Sequence, residues 1–203
     1  CQHAMTTFFV IFIFTGWLQS LLERKFSFIL KVEAIVQRKV VIRMDQAQLL
    51  AEIDALQEGN CYVLDIFPQQ VPAGNPNYGA VENFLLKGKT LPRYAERVGI
   101  IIFKLLCYEE ADILLVDAGD DDWFKPYSQV NLAQIPLEQL ATLIKAIITR
   151  DSGAIKVLFR PSRTLISIDG AFQTSVYNAD PAMLRRIALL AQAEGIFFRG
   201  CAN

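Results

Sequence analysis

Ala154 to Tyr177 reads AIKVLFRPSRTLISIDGAFQTSVY, and its punctuation decides the fold. Three short runs, Ala154 to Phe159, Thr164 to Ile168 and Phe172 to Tyr177, are rich in the β-branched and aromatic residues that suit a pleated sheet. Pro161-Ser162-Arg163 separates the first two, and Asp169-Gly170, a strong hairpin signal between apolar runs, separates the last two. Links this short join antiparallel neighbours, so the stretch predicts a β-meander.

Helices flank it on both sides. Pro136 opens one in which Leu137, Leu140, Ile144 and Ile147 form the apolar stripe, Glu138 and Arg150 suit the two ends of its dipole, and Ser152-Gly153 stops it. Beyond the meander, Asp180 and Pro181 cap and start a helix through Met183, Leu184, Ile187, Ala188 and Ala191, which Gly195 ends before a last edge strand in IFFRG. Further upstream, Leu91 to Tyr108 has helical spacing in spite of Gly99, Ile113 to Val116 is a short buried strand, and Asn60 to Phe67 is a strand ended by Pro68. Pro68 to Gly79 is loop, Ala80 to Leu86 is a short helix, and Asp45 caps a helix carrying Leu49, Leu50, Ile53 and Leu56 as far as Gly59. This order predicts an α+β domain over residues 44–203, an antiparallel meander covered by helices and preceded by an apolar N-terminal segment, residues 1–43.

Charge divides the chain at the same place. The total is -1 over 203 residues, which leaves no basic face for general nucleic-acid binding. Residues 1–43 carry six basic side chains against Glu23 and Glu33, whereas the rest carries 14 basic against 19 acidic. Ala4 to Leu22 holds 19 residues without a charge, just enough to span a bilayer, with Trp17 near one end and Arg24 and Lys25 beyond it. Insertion there would leave the body cytoplasmic and membrane-tethered. The same run also fits a buried core helix, a β-rich segment or sequence upstream of a start at Met44. Phe26 to Arg43 reads as a basic amphipathic connector.

The four cysteines, Cys1, Cys61, Cys107 and Cys201, lack C-x-x-C spacing and are expected to be unpaired, which favours a reducing compartment; a Cys61 to Cys107 bridge is the alternative. His3 is the only histidine and lies near the terminus, so histidine-based catalysis is not expected. No glycine-rich fingerprint, P-loop or nucleophile elbow is present, and no cofactor is expected.

Chemistry concentrates in ADILLVDAGDDDWFKPY, Ala111 to Tyr127. Asp120, Asp121, Asp122, Trp123, Phe124 and Tyr127 combine charges with large aromatics, the composition of a binding surface. The chain therefore reads as a non-enzymatic protein-interaction domain, of an inhibitor or immunity type, that docks a basic partner. Two alternatives stand beside it. Asp117, Asp120 and Asp122 could hold Mg²⁺ or Ca²⁺ in a hydrolase or phosphotransferase, although the spacing does not match an EF-hand loop; or the body is a tethered cytoplasmic module. Arg160 and Arg163 form the neatest basic pair, suited to a phosphate or carboxylate. Asp65, Asp169 and Glu82 are candidate acid/base residues with no partner visible in the sequence.

Overall fold

The computed structural model describes residues 46–72, 74–119, 122–128 and 130–201. The apolar run at 4–22, the connector at 26–43 and the Asp45 cap lie outside the described residues, as do Asp120 and Asp121. In chain order the elements are α1 (Gln46–Gln57), β1 (Cys61–Asp65), α2 (Tyr78–Lys87), α3 (Thr90–Leu106), β2 (Ala111–Val116), α4 (Leu137–Arg150), β3 (Ala154–Phe159), β4 (Thr164–Ile168), β5 (Thr174–Tyr177), α5 (Pro181–Glu194) and β6 (Phe197–Gly200). Two short 3₁₀ turns, Lys125–Tyr127 and Leu132–Gln134, lie between β2 and α4.

The strands among the described residues form one six-stranded sheet in the order β2-β3-β4-β5-β1-β6, antiparallel at every step. The meander predicted from Ala154 to Tyr177 is its centre, and the fold is α+β. Sequence spacing did not place β1, which lies between β5 and β6. Side chains alternate between the two faces. Ile113, Leu115, Ile155, Val157, Ile166, Ile168, Val176 and Leu64 point into the main core, where α3, α4 and α5 bring residues such as Val98, Ile102, Leu143, Ile147 and Ile187 against them.

Among the described residues, the opposite face is covered in part by α1. Leu49, Ile53 and Leu56 of α1 pack on Leu114, Leu158 and Leu165. Beyond α1 the face turns polar: Leu114, Lys156, Ser167, Ser175, Val63 and Arg199 stand opposite one another in successive strands and make one row across the whole sheet.

Helix ends follow their local chemistry. The Asp180 carboxylate accepts from the Met183 N–H at 2.7 Å, Pro181 takes the first turn, and Gly195 closes α5 in the left-handed region at φ 67°. At the end of α4 the left-handed residue is Asp151 at φ 54°, one position ahead of the expected Ser152-Gly153 stop. No helix among the described residues is long and apolar enough to cross a membrane.

The expected unpaired cysteines are corrected at one pair. Cys61 and Cys201 form a disulfide, with Cα atoms 5.3 Å apart, while Cys107 is free and exposed. The reason is register: Tyr62 pairs with Gly200, so Cys201, one residue past β6, faces Cys61, and its N–H donates to the Cys61 carbonyl at 2.9 Å. The inference of a reducing compartment loses its support.

Candidate functional site

The acidic loop is built differently at its two ends. Phe124 is fully buried and belongs to the core, which corrects the expectation of a contact residue there. Trp123 is half-buried, edge-on to Phe124 with centroids 4.8 Å apart, 5.9 Å from the Tyr127 ring, and covered by the Arg150 guanidinium at 4.7 Å. Tyr127 likewise packs on the core. The aromatics fold inward because β2 ends at Val116 with its neighbours already in the core, and burying large rings there releases more water than leaving them exposed. Asp122 faces solvent, its side chain 88% exposed in an ion pair with Lys125. Asp117 is exposed in the left-handed region at φ 53°. No three ligating side chains converge on a metal position among the described residues.

Arg160 and Arg163 are engaged elsewhere. Arg160 binds Asp112 and reaches Glu52 at 3.1 Å, and Arg163 reaches the other Glu52 oxygen at 3.3 Å. The pair ties α1 to the sheet and is not an open anion site. Asp112 also accepts from the Asn131 amide at 2.8 Å, while the Asn131 carbonyl oxygen accepts from Ile113 N–H at 3.2 Å, which covers part of the β2 edge.

Asp65, Asp169 and Glu82, isolated in the sequence, come together around two adjoining clefts at one end of the sheet. The register brings to that end the last residues of β2, β4 and β1 and the first of β3, β5 and β6. The cleft over the polar row, about 500 Å³, contains Lys156, Ser167 and Asp169. Lys156 Nζ donates to Ser167 Oγ at 2.6 Å, Ser167 donates to Asp169 Oδ2 at 2.7 Å, and Lys156 lies 3.6 Å from Asp169 Oδ1. A serine beside a lysine is a known nucleophile–base arrangement. Here the serine donates to the Asp169 carboxylate, the lysine forms an ion pair with the same carboxylate, and Ser167 is 1% exposed, so the three side chains are bonded to one another.

The second cleft, about 420 Å³, lies between the end of β1, the start of α2 and the β4–β5 turn. Asp65 binds Arg199 and accepts from Phe67 N–H at 2.9 Å. Tyr78 donates to Glu82 at 3.2 Å, and its ring lies 6.4 Å from that of Phe67. Burial, and next the Glu82 carboxylate, hold the Tyr78 phenol above its ordinary pKa. Behind the cleft Tyr94 donates to the Leu64 carbonyl at 2.9 Å and meets Phe172 edge-on; burial drives its pKa upward too, so it stays neutral.

No protein family, curated protein or solved structure matches the chain. The site is therefore described by its own chemistry. Exposed Asp117, Asp122 and Asp151 lie at the same end of the sheet as the clefts: Val116 pairs with Ala154, Trp123 beside Asp122 lies under Arg150, and Gly170 of the β4–β5 turn approaches Asp151 closely. Sequence spacing gave the acidic loop alone; the strand order joins Asp151, Asp65 and Glu82 to it.

Proposed function

We propose that this chain is a non-enzymatic interaction domain of an inhibitor or immunity type, docking a basic protein against the acidic end of its sheet. The observation that carries this reading is the gathering there of exposed Asp117, Asp122 and Asp151 beside the carboxylate-lined clefts, on a body with 14 basic and 19 acidic residues after position 43. Such a field raises the rate of encounter with a cationic surface and disfavours acidic partners. The charges inside the clefts are matched by neighbours, Lys156 with Asp169 and Arg199 with Asp65, which suits a rigid surface better than a proton-transfer site. The recognition surface proposed here differs from the sequence expectation in that exposed carboxylates carry it, with Phe124 contributing to the core.

The test neutralises the end while keeping its backbone. Asp117 and Asp151 have positive φ, which asparagine tolerates, so Asp117→Asn, Asp122→Asn and Asp151→Asn are combined in the full chain. Affinity capture should lose its basic proteins and the salt dependence of that capture should flatten. The control, Asp54→Asn on α1 with Glu58→Gln just past its end, both exposed, should behave as wild type. Equal capture by the triple variant would refute the docking surface.

A further inference from the structure

The cleft between β1 and α2 has a composition that selects one kind of group. Its charged lining is Asp65 and Glu82 against Arg199, and Arg199 is held by Asp65, so the charge left over is that of Glu82. Among the described residues the Glu82 carboxylate accepts from the Tyr78 hydroxyl, and an ionised carboxylate has room for several hydrogen bonds. Phe67, Tyr78 and Phe172 line the same cleft, the first two with ring centroids 6.4 Å apart. A carboxylate beside aromatic faces suits a cation, which gains both an ion pair and attraction to the ring quadrupole.

We infer that this cleft receives an arginine or lysine side chain of the basic partner, held by Glu82 and the faces of Tyr78 and Phe67. The inference rests on the proposed docking of a basic protein and names the pocket within that surface. An anion is disfavoured, because it would meet two carboxylates and an arginine already engaged. A protein side chain, and not a free small cation, is favoured by what surrounds the cleft: α2 has no buried residue and leaves Val81 and Phe84 exposed, the latter at 77%, apolar surface of the kind that residues flanking a basic side chain can cover.

N-acetyl-arginine amide titrated into the full chain, followed by the NMR signals of Tyr78 and Phe67, tests the pocket. A dissociation constant on the order of 1 mM is expected for a fragment of this size. Glu82→Gln should weaken it about tenfold and Tyr78→Leu about fivefold, while N-acetyl-norleucine amide and inorganic phosphate should leave the signals unmoved. Equal response to the norleucine compound, preference for phosphate, or arginine binding unchanged by Glu82→Gln would each overturn the pocket. Failure of the two levels is distinguishable. If the arginine probe moves these signals but the triple asparagine variant captures basic proteins normally, the pocket stands and the wider docking surface falls. If capture is lost in the triple variant while the probe is silent, the surface stands and the pocket falls.

Discussion

A Cβ placed on Gly170 would stand 1.8 Å from Asp151 Oδ1 and 2.6 Å from Asp151 Cα, whereas the left-handed backbone of this turn is carried by the next residue, Ala171, at φ 54°. Glycine is thus required at position 170 for close approach between the β4–β5 turn and the end of α4, which the Ala171 N–H to Ile148 carbonyl bond of 3.0 Å also fastens. The Asp-Gly pair signals the hairpin correctly, but the five residues between Ile168 and Thr174 do not form the two-residue turn that such a pair usually builds. Because one obstructing atom is backbone, the strain cannot be relieved by a rotamer change. Gly170→Ala should destabilise the fold by about 2 to 3 kcal/mol in urea titration at an unchanged m-value. A change within about 0.5 kcal/mol would mean that the two segments separate at little cost.

Between elements, the attachment of α1 divides its ion pairs into unequal parts. Asp112 is nearly buried between Arg160 and the Asn131 amide, so Asp112→Ala removes the acceptor of both while Arg160 keeps its pair with Glu52, and it should cost about 2 kcal/mol. Arg163 is exposed on the same Glu52, and Arg163→Ala should cost less than about 0.5 kcal/mol. Thermal melts of the two variants check the ratio, and comparable losses would show that the clamp acts as one network. Elements with a local signature were legible in the sequence: β3 and β4 begin and end where Ala154, Phe159, Thr164 and Ile168 predicted, and Asp180 caps α5 as its spacing implied. What depends on distant pairing was not. Cys61 to Asp65 reads as a strand, but nothing local says that its neighbours are Thr174 to Tyr177 and Phe197 to Gly200. The candidate site suffered for the same reason, since Asp65, Glu82 and Asp169 meet only through that pairing. Phe124 was ambiguous on different grounds: an aromatic beside acids has the same composition at a surface as at a core edge, and burial separates the two.

At the scale of the whole molecule, the bridge between Cys61 and Cys201 spans a separation of 140 residues and holds the last strand to the sheet. Closing so long a loop restricts the unfolded chain strongly, so Cys61→Ala should lower stability by about 3 to 5 kcal/mol on the chain-entropy account. Tryptic digestion without reductant should join the peptide from Met44 to Lys87 to the peptide that begins at Gly200 and carries Cys201, and finding the two unlinked would remove the bridge from the fold.

The position of β1 also bears on how the molecule is made. The first strand of the sheet to leave the ribosome is the one that lies between β5 and β6, the last two to be synthesised. Until residues 174–200 have emerged, Tyr62 to Leu64 have neither of their hydrogen-bonding neighbours, and a chain growing at about 5 to 20 residues per second holds both edges of that strand open for several seconds. Such an edge is a template for pairing with other nascent chains. The sheet therefore closes only once β6 has emerged, and until then the exposed edges of β1 are the part of the growing chain most open to wrong pairing.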